Sequence, residues 1–132
     1  MITNFEELTY DVTEEEKRVA QLISKSIQKN HVGKDKAITS REIIVKLANA
    51  SNPEHRISMG DARLRKIINY IRQSGMCPCL IATSKGYYVS NDREEIGKYI
   101  KSLDERVNEI AKIRDVMIKQ MEIIPYISKN VD

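Results

Sequence analysis

A helix-start signal occurs three times in the first half of the chain, and it divides that half into helices. In a capping box, a Ser or Thr side chain accepts a hydrogen bond from the backbone N–H three residues on, and a Glu there reaches back to the cap. Thr13 with Glu16 and Thr39 with Glu42 fit this pattern, and Ser58 before Asp61 is a third N-cap signal. The spacing therefore predicts three helices that follow these residues.

Apolar residues after each start recur at the spacing of one buried helix face. The first predicted helix ends near Asn30, with Gly33 as a stop, and the second covers about ten residues after Thr39. The third, which contains "RLRKIINYIRQS", covers residues 59–74 and ends at Gly75, a residue type that suits the left-handed position after a helix. Only 5% of the residues are aromatic, so the predicted core is aliphatic.

Two short runs after the third helix have the composition of strands. They are residues 80–83 and 87–90, and "SKG" between them has turn composition, which predicts an antiparallel hairpin. Ala37 and Ile38 form a further short apolar pair before the second helix. The expected fold class is α+β, mainly α.

A second apolar pattern runs from Asp92 to about Glu122 and predicts one long helix. Its apolar residues have the 3–4 spacing of a heptad seam, with Arg114 in the one missing step. The seam consists of Ile96, Ile100, Leu103, Val107, Ile110, Met117 and Met121. Such a seam either packs on its own domain or pairs with the same helix of a second copy. A homodimer is favoured, because a helix about 45 Å long exceeds what the small preceding domain can cover.

These elements predict an N-terminal arm (1–12), a domain (13–90), a long helix for dimerisation (91–124) and a tail (125–132). The N-terminal segment is acidic and lacks a signal-peptide core, and no apolar run approaches the roughly 18 residues of a membrane span. We therefore expect a cytoplasmic protein with no membrane partner.

Positive charge is concentrated in the middle of the chain. Residues 34–90 contain 10 basic and 4 acidic residues, whereas residues 1–33 and 91–122 each have a slight acidic excess. A local excess of this kind indicates a polyanionic partner more strongly than the formal net charge of +3 does. A solvated basic surface is the alternative interpretation.

A helical wheel of the third helix places a polar and basic surface opposite its aliphatic stripe. Lys and Arg neutralise phosphates, and Arg, Asn and Gln read base edges in the major groove. Because recognition helices use their N-terminal half for bases, the predicted base contacts are Ala62, Arg63, Lys66 and Asn69. The predicted phosphate contacts are Arg65, Arg72, Gln73 and, at the helix start, Ser58. At the hairpin tip, Lys85 is predicted to reach DNA, and Ser84 and Gly86 make the tip narrow.

The order helix, short strand, helix, helix, hairpin and long helix resembles the winged helix-turn-helix DNA-binding proteins common in bacteriophages and prophages. The resemblance covers residues 37–115 and depends on "ITSREI", "LRKIINYIRQSG", "SKGYYVS" and "EEIGKYIKSLDERVNEI". It implies a bacterial host cell, double-stranded DNA as partner, and a role as a transcriptional regulator or a replication accessory. The chain departs from the pattern at residues 49–57, a connector longer than the three to four residues of a tight helix-turn-helix.

Other functions have weaker support in the sequence. A protein-interaction module with this fold and no DNA contact is the main alternative, with the long helix as its working part. The chain shows no Gly-rich phosphate loop, paired catalytic carboxylates or nucleophile–base motif, so no enzyme and no cofactor is expected. Cys77 and Cys79 are too close in sequence for an unstrained disulfide, and no His has ligand spacing to them, so we expect buried thiols and no metal.

Overall fold

The computed structural model describes residues 12–125, which fall into two compact units that divide after Arg93. The predicted arm and tail lie outside the described residues, apart from Val12 and Pro125. The first unit contains three α-helices and one two-stranded antiparallel sheet, which confirms an α+β, mainly helical fold class. Its elements are α1 (Glu14–Asn30), α2 (Ser40–Ala48), α3 (Asp61–Ser74), β1 (Leu80–Thr83) and β2 (Gly86–Val89).

Two of the three predicted helix starts are confirmed. In α1, Thr13 Oγ1 accepts from the Glu16 N–H at 3.1 Å, and the Thr13 N–H donates to Glu16 Oε1 at 3.0 Å. Thr39 and Glu42 make the same two bonds, at 3.1 and 2.9 Å, before α2. Each box satisfies backbone donors that the first helical turn leaves without partners.

The predicted N-cap at Ser58 is wrong, because α3 begins only at Asp61. Its N-cap is Gly60, which has extended backbone and no side-chain cap bond. The Ile57 N–H donates to the Leu47 carbonyl at 3.0 Å, and the Ile57 and Met59 side chains pack against the core. These contacts hold the connector in non-helical conformation past Ser58, so the helix starts later than the local sequence indicates.

The core is aliphatic, as predicted, and α3 lies at its centre. α3 packs on both α1 and α2, and its buried residues are less than 3% exposed. These are Leu64, Ile67, Ile68 and Ile71. Gly75 ends the helix with a φ of 77°, the left-handed conformation expected there. Full burial of four branched side chains fixes which face of α3 points outward.

The hairpin forms as predicted, with its second strand shifted by one residue, and it holds one further backbone segment. Leu80 pairs with Val89 and Thr83 pairs with Gly86 across the two strands. Ile38 joins as a single antiparallel bridge to Tyr87, with N–H to oxygen distances of 2.9 and 2.8 Å. A Cβ at Gly86 would lie 2.4 Å from the Ile38 carbonyl oxygen, so only glycine fits at this crossing.

The second unit consists of the long helix α4 (Arg93–Ile123), whose bounds agree with the predicted range. No residue of α4 is buried in the single chain. Within the seam, Ile96 and Leu103 are half-buried and the other five residues are exposed. Across residues 12–125, no helix has both the length and the apolar content needed to cross a membrane.

Candidate nucleic-acid interface

The outward side of α3 carries the polar surface predicted from the sequence. We call this surface the α3 outer face, and its residues are Ala62, Arg65, Asn69, Arg72 and Gln73. All five are exposed, on the side of the helix opposite the buried stripe. The same packing that buries Ile67 and Ile71 therefore presents two guanidinium groups and two amides to solvent.

Two predicted base contacts, Arg63 and Lys66, point instead toward the N-terminal end of α1. Arg63 Nε donates to Glu16 Oε2 at 2.8 Å, and Arg63 Nη2 lies 2.9 Å from Glu15 Oε1. Lys66 Nζ lies 2.9 Å from Glu16 Oε1. Both cations are thus neutralised within the protein, and we no longer assign either a contact with bases.

Glu16 is the centre of this arrangement, because one carboxylate serves both the helix cap and the two cations. Its side chain is 3% exposed. Burial raises the pKa of Glu16, but hydrogen bonds from the Thr13 backbone and from the Arg63 and Lys66 side chains outweigh it, and the pKa falls to about 2. The carboxylate is therefore charged at neutral pH, and it joins α1 to α3 through buried charge-assisted hydrogen bonds.

The α3 outer face offers hydrogen-bond donors without a compensating negative charge. Asp61 is the one acidic residue of α3, and it lies in the first turn, where a carboxylate favours the helix dipole. Within residues 12–125, the side chains of Arg65, Asn69 and Gln73 have no hydrogen-bond partner or ion pair. These groups can donate to a ligand without first breaking a bond inside the protein.

The hairpin tip is a second basic site in the same unit. Thr83 Oγ1 accepts from the Lys85 N–H at 3.1 Å and donates to the Gly86 carbonyl at 3.3 Å, so the turn is braced by its own residues. Ser84 and Lys85 are exposed, whereas Gly86 is buried on Ile38 and serves the shape of the tip only.

Lys34 lines the same shallow hollow as Lys85, together with Asp35 and Ala37, and the sequence analysis did not identify it. Lys34 belongs to a single-turn 3₁₀ helix that follows α1, far from the hairpin in sequence. No local spacing relates the two lysines. Only the backbone bridge between Ile38 and Tyr87 brings their segments together.

The remaining predicted residues are accounted for as follows. Ser58 is exposed but lies outside α3, three residues before its first turn. Both cysteines are free, with Cys77 buried as predicted and Cys79 exposed. No known protein family, curated protein or solved structure matches this chain. Its function therefore has to be argued from its own residues.

Proposed function

We propose that residues 13–90 form a winged helix-turn-helix domain that binds double-stranded DNA. In this proposal α2 and α3 form the helix pair, the α3 outer face enters the major groove, and the hairpin is the wing. The order of elements supports it, since Ile38 adds a short strand segment to the hairpin between α1 and α2. The bacteriophage-type regulators and replication accessories that the sequence resembles have the same order.

The observation that carries the proposal is the composition of the α3 outer face. Residues 62–74 contain no carboxylate, and the two cations that α1 neutralises are not on this face. Arg65 and Arg72 remain exposed beside Asn69 and Gln73. Guanidinium groups neutralise phosphates, and amides pair with adenine through two hydrogen bonds. The face therefore has the chemistry that both the backbone and the base edges of DNA require.

Roles follow from position along α3. Ala62 and Asn69 are assigned to base edges, with the Ala62 methyl suited to contact with a thymine methyl. Arg65, Arg72 and Gln73 are assigned to phosphates, as is Lys85 at the hairpin tip, with Lys34 beside it. The Glu16 ion pairs hold α3 against α1, so the helix is fixed in position before it meets the groove.

A protein-interaction module that uses the same basic face for an acidic protein is the competing function. The salt dependence of binding to a random-sequence duplex separates the two. About four phosphate contacts predict that the logarithm of the association constant falls with the logarithm of salt concentration at a slope near −3.6.

This slope is measured by fluorescence anisotropy with a labelled duplex between about 50 and 200 mM salt, the range in which such contacts change affinity strongly. Absence of binding at the lowest salt concentration would contradict the proposal and favour the protein-interaction module. A slope near zero would show that phosphates are not the partner of the basic face.

A further inference from the structure

The long helix α4 carries an apolar stripe that the single chain leaves uncovered. At five seam positions the side chains are between 53% and 67% exposed, namely Ile100, Val107, Ile110, Met117 and Met121. Ile113 and Ile118, which flank the seam, are 62% and 44% exposed. A contiguous apolar stripe of this length costs free energy in water, and its heptad spacing matches the surface of another α-helix.

Arg114 decides how a second helix can lie on this stripe. In a parallel, in-register pair each seam residue faces its own copy, so two Arg114 cations would meet in an apolar layer. In an antiparallel pair the layers alternate instead, and Val107 faces Ile110 of the second copy. The same register places Arg114 against Leu103 of the second copy, with Asp104 next to it. Antiparallel pairing thus replaces a repulsion with an attraction.

We propose that the α4 stripe is covered by α4 of a second copy of this chain, running antiparallel in this register. Asp104 is exposed and has no cation partner within the described part of the chain, so its carboxylate is available to Arg114 of the other copy. Arg114 itself bonds Asp115 at 2.9 Å on an exposed surface, and its guanidinium has further donors for Asp104. Two-fold symmetry forms the contact twice.

Side-chain size along the edges of the stripe supports the same register. It brings Ile118, the bulky flanking residue, next to Gly97 of the second copy. A Cβ built on Gly97 has no atom within 4 Å, so open space exists there for a large neighbour. The parallel register would instead place Ile118 beside Ile113, another bulky residue, at the edge of a two-stranded pair.

Disulfide trapping on the full chain tests the orientation directly. The background variant is Cys79→Ser, since Cys79 is the exposed thiol and Cys77 is buried. In the proposed register Met117 faces Ile100, so Ile100→Cys with Met117→Cys should form a cross-linked dimer under mild oxidation. Met117→Cys alone should stay monomeric on a non-reducing gel, because its two copies are about 25 Å apart along the helix. Efficient cross-linking of that single variant would overturn the proposal in favour of a parallel pair.

Sedimentation equilibrium gives the second readout, which does not depend on oxidation or on DNA. We expect a dimer at tens of micromolar, and we expect Ile110→Glu to raise its dissociation constant at least about 100-fold by burying a charge in the seam. Val116→Glu is the matched control, since Val116 is also exposed but lies on the opposite side of α4, and it should leave the dimer intact. A wild-type monomer at that concentration would overturn the proposal, whether or not the first unit binds DNA.

Discussion

Replacement of Glu16 by alanine is expected to lower the free energy of unfolding by about 3–5 kcal/mol, although Glu16 lies outside the proposed DNA interface. Removing one member of a buried ion pair leaves the remaining charge without compensation. Here Arg63 and Lys66 both lose their carboxylate partner in Glu16, and Thr13 loses its capping-box partner. Urea unfolding followed by circular dichroism at pH 7 and fixed protein concentration measures the loss.

The same ion pairs predict how stability changes with acid. The pKa of Glu16 is about 2 in the folded protein, below its ordinary value of 4.5. A depressed carboxyl pKa contributes stability that is fully present above the unfolded-state pKa and is lost as the pH falls toward the folded-state pKa. The wild type should therefore lose about 3 kcal/mol of its advantage over Glu16→Ala as the pH falls from about 5 to 2.

Glu14→Ala is the matched control for this experiment. Glu14 lies in the same turn of α1 and pairs with Lys17 at 3.2 Å, but its side chain is 92% exposed. Exposed ion pairs contribute at most about 1 kcal/mol, so this variant should remain close to wild type. Equal effects of the two substitutions would show that the contact between α1 and α3 does not depend on the buried carboxylate.

Reversal of charge at Arg65 and Lys85 together is expected to weaken binding to duplex DNA at least about 100-fold at 0.1 M salt, because each lost phosphate contact costs close to tenfold there. Both side chains are exposed and make no ion pair within residues 12–125, so Arg65→Glu/Lys85→Glu should keep the wild-type unfolding midpoint. Arg65 is chosen over Lys66 because a glutamate at position 66 would face Glu16 and destabilise the fold.

A control of equal charge is available on α1. Lys25 and Lys29 are exposed there, and Lys25→Glu/Lys29→Glu changes the net charge by the same amount. At physiological salt, exposed charges act over only about 8 Å, so this variant should lose little affinity. If both double variants lose affinity equally, net charge rather than the α3 outer face determines binding.

Local sequence signals predicted the helices well, because a capping box is complete within four residues. Thr13 and Thr39 begin helices for that reason. The failure at Ser58 has the opposite cause, since the Ile57–Leu47 hydrogen bond comes from another part of the chain and delays α3. Element boundaries are thus predictable here only where the stabilising contacts are local.

The candidate site was only partly predictable for the same physical reason. A helical wheel separates the buried stripe of α3 from its polar side, but it does not show which polar residues another helix covers. Arg63 and Lys66 lie at the flank that α1 meets, and the acidic first turn of α1 neutralises them. Lys34 was missed because its neighbourhood with Lys85 exists only after the segment at Ile38 joins the hairpin.

The central claim is that the α3 outer face and the hairpin tip contact duplex DNA. An amide NMR titration of the ¹⁵N-labelled protein with a short duplex at low salt tests it most directly. We predict that the largest shift changes occur at residues 62, 65, 69 and 73 and at residues 84–86, while the outer residues of α1 remain unchanged. Changes confined to α4, or none on α3 at saturating duplex, would contradict the claim.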